Sequence, residues 1–350
     1  MIVLLVLSII YVKKIICKIL EVILKKILVT GGAGYVGSHT AKMLAQKGYE
    51  PIVFDNLVYG HRYATKWGKF IHGDLNNFQD INDALKSVKP DGIVHCAAYT
   101  YVGESVEQPA KYYQNNVVGS LNLFKAMVEN NINNLVFSST CATFGNVEKL
   151  PIIETTAQKP ISPYGTSKLI TEMMLADFDR AYGLKHINVR YFNVCGADEQ
   201  GEIGEDHNPE THLIPLVIDA ALGKRENIKV FGTDYNTPDG TCLRDYIHVN
   251  DLANAHIMSL EYLFKNKKSN DFNLGSEKGY SVLEVINAVE KVSGKEITKI
   301  MEERRAGDPA ILIADSTKAN NDLGWKAEYT DIIKIVETAY NWHTKPKPTA

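Results

Sequence analysis

At 350 residues the chain is long enough for two domains or for one elaborated α/β domain. Its 45% hydrophobic and 23% charged content excludes a disordered or fibrous chain. With 38 basic against 41 acidic residues it lacks the broad basic field of a nucleic-acid binder, so any anionic ligand has to be met by a local site. In chain order, Met1 to Val12 is apolar apart from Ser8, and Lys13 and Lys14 then stop the run. As a helix it would be about 18 Å long, too short for a hydrocarbon core of about 30 Å. Lys13, Lys14, Lys18, Lys25 and Lys26 interleave with apolar residues, so residues 1–25 read as an N-terminal extension. It is either a membrane-surface anchor or a spurious upstream start, and membrane contact is expected only if it is real.

Lys26 to Thr30 is a short β-branched run that enters the glycine turn TGGAGYVG (residues 30–37), and a helical pattern from Ser38 to Lys47 follows. Pro51–Phe54, Phe70–Asp74, Gly92–Ala97, Asn134–Ser138 and Lys185–Arg190 are further strands. They alternate with helical stretches such as Tyr112–Asn130 and Ser167–Tyr182. Six strands in βαβ series predict a Rossmann-type, doubly wound parallel sheet. After about Asn193 the glycines and prolines Gly196, Gly201, Gly204, Pro209 and Pro215 break the rhythm, before a helix expected at Leu216–Gly223. The predicted organisation is a dinucleotide domain at 26–192, completed by parts of 232–262, and a smaller C-terminal α/β substrate domain spanning mainly 193–345. Five widely spaced cysteines, with no CxxC pair and no zinc spacing, point to a reducing, cytoplasmic setting and to no metal.

The glycine turn has both spacings Gly31-x-x-Gly34-x-x-Gly37 and Gly32-x-Gly34-x-x-Gly37 between a strand and a helix. Such glycines let the backbone approach a pyrophosphate, which the helix N-terminus attracts. Asp55 ends the second strand, where a carboxylate bonds ribose hydroxyls and repels a 2′-phosphate. No basic residue stands at Asn56, Leu57 or Val58, so NAD is expected rather than NADP. Asp74 is read either as an adenine acceptor or as a helix N-cap. Tyr164 and Lys168 lie four apart in SPYGTSK, hence on one helix face. That spacing alone is weak, but the pair follows a fifth strand ending in Ser138-Ser139-Thr140, at the edge where open α/β sheets bind ligands. A lysine ammonium favours the phenolate of a tyrosine whose ordinary pKa is near 10, and a threonine hydroxyl can position the substrate oxygen.

With TGGAGYVGSH, FSSTCATFG, SPYGTSK, RYFNVCGAD, GEDHNPETHLIP, FGTDYNTPDGTCLRDYIHVNDLA and RRAGDPA, the chain resembles the extended short-chain dehydrogenases/reductases, and among them the UDP-glucose 4-epimerases, from Lys26 to about Tyr340. The resemblance implies reversible inversion at C4 of a UDP-hexose. Tyr164 takes the proton of the 4-hydroxyl while C4 gives a hydride to tightly held NAD. The 4-keto sugar turns over and takes the hydride back on its other face. Cofactor contacts are implied at Gly31, Gly34, Tyr35, Val36, Gly37, Asp55, Asn56, Asp74, Leu75, Ala97, Ala98, Asn115, Tyr164, Lys168 and Tyr191. Substrate contacts are implied at Thr140, Tyr164, Asn193, His212, Leu213, Phe231, Arg244, Arg305 and Asp308. A homodimer is also implied.

Three positions depart from the family pattern. Thr140 replaces a serine but keeps the hydroxyl. Thr100 stands where some members have lysine. Leu312 stands where some members close the sugar pocket with tyrosine, which leaves room for UDP-N-acetylhexosamines such as UDP-GlcNAc and UDP-GalNAc. Two other readings stay open: a UDP-pentose or UDP-uronic acid 4-epimerase on the same scaffold, and an inactive NAD-sensing Rossmann protein. A 4,6-dehydratase is disfavoured because Cys141-Ala142, not an acidic pair, follows Thr140.

Overall fold

The computed structural model describes residues 24–305 and 309–347. The apolar stretch 1–23 and Asp308 lie outside these residues. Strand β1 (Lys26–Thr30) is followed by helix α1 (Tyr35–Gln46), β2 (Glu50–Asp55), β3 (Lys69–His72), α2 (Phe78–Val88) and β4 (Gly92–His95). A π-helical turn (Tyr113–Val118) then runs into α3 (Gly119–Glu129), before β5 (Asn134–Thr140), α4 (Pro163–Tyr182) and β6 (Lys185–Tyr191). The second half contains β7 (Asn193–Cys195), α5 (Leu213–Ala221), β8 (Ile228–Phe231), β9 (Leu243–His248), α6 (Val249–Asn266) and β10 (Asn270–Leu274). It ends with β11 (Gly279–Ser281), α7 (Val282–Ser293), β12 (Lys299–Glu302), β13 (Ile311–Leu312) and α8 (Ile332–Thr344).

The main sheet is parallel throughout, in the order β10-β6-β5-β4-β1-β2-β3. The order in which successive strands are laid down reverses between β1 and β4, which makes their carboxyl ends the switch point where such sheets bind ligands. Side chains alternate across β1. Ile27 and Val29 pack under α1 and α6, while Leu28 faces α2, α3 and Leu175 of α4. Both faces are covered, which is why the strands read as unbroken apolar runs rather than alternating ones.

Six strands were expected and seven are present. The seventh, β10, comes from beyond residue 262 and reaches the sheet through the crossover helix α6. Only Phe272 and Leu274 in NDFNL carry apolar bulk inward, so this strand is too polar to stand out by periodicity. Helix α5 starts at Leu213 rather than Leu216 and takes Pro215 into its first turn, where a missing N–H costs no helical bond. A second core joins α5, α7 and α8 to β8 and β9. In this unit β9 pairs with β7, β11 and β13, and β8 pairs with β12.

Candidate active site

The glycine turn is tight because its neighbours leave no space. Gly31 has φ +67°, and a methyl group there would lie 2.6 Å from the Ala97 nitrogen. At Gly37 it would lie 2.1 Å from the Gly31 carbonyl oxygen, whereas at Gly34 nothing approaches closer than 3.3 Å. Gly31 and Gly37 therefore close the turn, and Gly34 leaves its upper side open. Helix α1 begins at Tyr35 with no side-chain cap and no acid in its first turn, so its N–H groups and dipole face that opening. These residues fit a dinucleotide pyrophosphate. Gly37→Ala is expected to push the turn apart and yield protein without bound NAD, checked by the absorbance and nucleotide content of the purified chain.

Asp55 is almost fully buried at the end of β2. Its two carboxylate oxygens accept from Ala33 N (3.0 Å) and Leu57 N (2.8 Å), each keeping a lone pair for a ribose hydroxyl. Burial pushes its pKa up, and these two N–H donors work against that. Asn56 donates to Asp74 at 3.0 Å, so the two residues act as one unit. Burial would raise the Asp74 carboxyl, but bonds from Asn76 and Asn56 hold it below the usual range. Asn77, not Asp74, caps α2, so the capping alternative for Asp74 falls. Leu75 packs against Gly119, Val36 packs on the core, and Tyr35 donates to the Gly196 carbonyl at 2.6 Å. Ala97 and Ala98 follow β4 beside Gly31.

Ser162 caps α4 by accepting from Gly165 N at 3.2 Å, and Pro163 opens the helix. Tyr164 and Lys168 thus fall on its first two turns, a turn earlier than the apolar pattern indicates. A methyl group at Gly165 would lie 2.5 Å from the Ala142 carbonyl. Glycine there lets α4 press onto the turn after β5, which brings Tyr164 to Thr140. Burial pushes the Tyr164 hydroxyl up to about 12, the hydrogen bond with Thr140 pulls it back, and Cys141 raises it. Lys168 donates to the Ser138 carbonyl at 2.8 Å and lies 4.8 Å over the Phe137 ring. Burial lowers its pKa to about 8, against the opposing effects of Cys96 and Glu172. Tyr191 pairs with Thr140 in register on β6 and meets Ser138 Oγ at 3.1 Å.

Asn116 carries a role that the sequence did not single out. Its amide donates to Tyr99 O (3.0 Å) and Ser167 Oγ (3.1 Å) and accepts from Tyr99 N (2.9 Å) and Asn115 Nδ2 (3.0 Å). It ties the loop after β4 to α4, while Asn115 lies nearer the surface beside Asn76. The only signal was its place in the Asn-Asn pair. Asn116→Ala leaves the Tyr99 backbone and Ser167 without their buried partner and is expected to cost about 2–4 kcal/mol of stability, measured by urea unfolding.

The second unit supplies the remaining residues. Arg244 on β9 donates to Leu243 O (3.0 Å) and Pro309 O (2.8 Å), and Leu312 lies opposite it in the β13 register. Burial pushes the Cys141 thiol up to about 12 while the nearby Arg244 charge opposes this, which links β9 to the Thr140 turn. The Arg305 guanidinium stacks on Phe231 at 3.9 Å. Asn193 begins β7, and Leu213 packs on the second core. His212 turns Nδ1 toward Glu205 (2.8 Å) and Glu210 (2.9 Å).

The NAD dependent epimerase/dehydratase family matches residues 27–275. A curated UDP-glucose 4-epimerase of Lacticaseibacillus casei is 50% identical over 91% of this chain and 96% of its own length. The crystal structure of a Brucella ovis UDP-glucose 4-epimerase in complex with NAD is 48% identical, with TM-score 0.88, over 90% of this chain and 97% of that one. The UDP-Glc/GlcNAc 4-epimerase of Campylobacter jejuni is 42% identical, with TM-score 0.81, over 91% of this chain and 98% of that one.

Proposed function

The chain belongs to the NAD dependent epimerase/dehydratase family, and on that premise we propose that it is an isomerase that interconverts UDP-glucose and UDP-galactose at C4 with a retained NAD. The observation that carries this reading is the meeting of Thr140 and Tyr164 at the carboxyl edge of the sheet, with only β4 between the strand of Thr140 and the one that enters the glycine turn. Bound NAD supplies a two-electron acceptor that returns what it takes, so the reaction has no net oxidation.

In this reading the Tyr164 oxygen removes the proton from the sugar 4-hydroxyl and later gives it back. Thr140 holds that hydroxyl, and the Lys168 ammonium favours the phenolate. Arg244 and Arg305 meet the two phosphates, Phe231 the uracil, and Asp308 the uridine ribose. Asn193, His212 and Leu213 complete the nucleotide pocket. Gly31, Gly34, Tyr35, Val36 and Gly37, with Asp55, Asn56, Asp74, Leu75, Ala97, Ala98, Asn115 and Tyr191, hold the cofactor. A sugar gripped only through its nucleotide can turn its other face to the same cofactor.

Purified protein given UDP-galactose and no added NAD should convert it to UDP-glucose, seen in the anomeric proton spectrum. Silence with and without added NAD would overturn the proposal. Pairing of two copies belongs to the same reading. Exposed Val102 and Val106, with Met173 on α4, lie on helices that pack side by side and leave an apolar face. Met173→Glu should shift the sedimentation coefficient toward that of a monomer. No described helix is long and apolar enough to cross a membrane. The free thiols of Cys96, Cys141, Cys195 and Cys242 support a cytoplasmic setting.

A further inference from the structure

The segment GEDHNPETH places four donor side chains in one small space between the glycine turn and α5. One ring nitrogen each of His207 and His212 and one carboxylate oxygen each of Glu205 and Glu210 all lie within 4.8 Å of one another. Their contacts measure 3.2 Å (His207 to Glu205), 3.7 Å (His207 to Glu210), 2.8 Å (His212 to Glu205) and 2.9 Å (His212 to Glu210). Metal bonds of about 2.0–2.1 Å in a tetrahedron give ligand–ligand edges of about 3.3 Å, the middle of that range.

We propose that Glu205, His207, Glu210 and His212 form a four-ligand site for a divalent transition cation of the zinc class. Glu205 and Glu210 pair with both rings, and the orientation of His207 is what points past a simple cluster of ion pairs. His207 Nδ1 is shut off from solvent and makes no aligned hydrogen bond even though a Glu205 oxygen lies 3.2 Å away, so a proton there would be buried without an in-line acceptor. As a lone-pair donor to a cation the same nitrogen is satisfied. Two carboxylates with two neutral imidazoles carry a charge of −2, which a divalent ion cancels, and imidazole with carboxylate suits zinc.

The frame around the cluster is built independently of it. Trp342 Nε1 donates to the Glu205 carbonyl at 2.9 Å. His61 Nε2 meets the Asp206 carbonyl at 2.8 Å, and Tyr63 holds the Asp206 carboxylate at 2.8 Å. Glu210 is oriented by accepting from Thr211 N (2.7 Å) and His212 N (2.8 Å). The His207 ring stands edge-on to Tyr35, the first residue of α1, with centroids 6.2 Å apart. The metal would therefore clasp the 204–212 loop between the cofactor turn and α5. Binding through Nδ1 leaves His212 Nε2 as a donor on the other side of its ring.

The test uses untagged full-length protein stripped with a chelator. Cobalt(II) should bind at one equivalent per chain with the intense visible bands of a tetrahedral ion, and zinc should displace it. His207→Gln and Glu205→Gln should each weaken zinc binding by more than about tenfold, since even outer-sphere changes cost that much. The cobalt titration of the unaltered chain decides the matter even if a variant fails to fold. No saturable binding, weak six-coordinate bands, or unchanged affinity in a folded His207→Gln protein would overturn the proposal.

Discussion

Tyr164→Phe is expected to lower kcat by about 10²- to 10⁴-fold, the usual worth of a positioned proton-transfer group, while the purified protein keeps its NAD. The physical reason is that Tyr164 sits on the first turn of α4 with its hydroxyl pushed up to about 12 by burial, so the buried site without cofactor holds it as a neutral phenol. Positive charge at the bound nicotinamide and at Lys168 shifts this equilibrium toward the phenolate. Phenylalanine keeps the ring in its place on the helix and removes only the oxygen. Lys168→Met removes one of the two charges. Losing a cation disfavours the phenolate and raises its pKa, so the acid limb of the kcat profile should move to higher pH, with activity partly recovered at alkaline pH. A pH–rate profile of both variants checks this. An unmoved limb in Lys168→Met, or full activity in Tyr164→Phe, would remove the pair from the chemistry.

The second large effect concerns the sugar. Leu312 is half-buried in a small cluster with Cys141, Phe144, Val147, Ile152, Phe192 and Ala314, beside Arg244. A leucine there leaves room that a tyrosine ring would fill. UDP-GlcNAc is therefore expected to turn over at no less than about one-thousandth of the rate of UDP-glucose, a hydrophobic pocket being a modest discriminator. Leu312→Tyr should lower UDP-GlcNAc turnover by about tenfold to 100-fold through overpacking, while UDP-glucose is nearly unaffected. The 42% identical Campylobacter jejuni protein, named for UDP-Glc and GlcNAc, supports this expectation. Equal loss with both sugars would mean that Leu312 supports the strand rather than the pocket.

Much of this was legible because it depends on local rules. Six apolar runs and the glycine turn gave the parallel sheet its first six strands, since strand and turn signals are short-range. Gly31 and Gly37 were readable because only glycine tolerates neighbours at 2.6 and 2.1 Å. Asp55 followed from its place at a strand end. The expectation for Tyr164 and Lys168 needed the four-residue period of a helix together with their place after the fifth strand.

Other features depended on parts of the chain far apart in sequence. Strand β10 became the seventh strand because α6 carries it to the open edge of β6, not because NDFNL looks like a strand. Asn116 acquired its role only when the π-helical turn set it between Tyr99 and Ser167. The arginine-on-aromatic stack of Arg305 and Phe231 joins a residue shortly after β12 to the last residue of β8, and these two strands pair side by side.

The clearest contrast is GEDHNPETH. The expectation of no metal rests on the scattered cysteines, whereas the His207-x4-His212 spacing in this segment carries little weight without a second cluster beside it. Folded, the loop is pinned by Trp342, His61 and Tyr63, and its two histidines and two glutamates converge on one another. The sequence by itself determined the first six strands and the glycine turn, because periodicity and steric exclusion act within a few residues. Only the tertiary structure decided which polar side chains converge, because that convergence is set by packing between segments, and no local spacing encodes it.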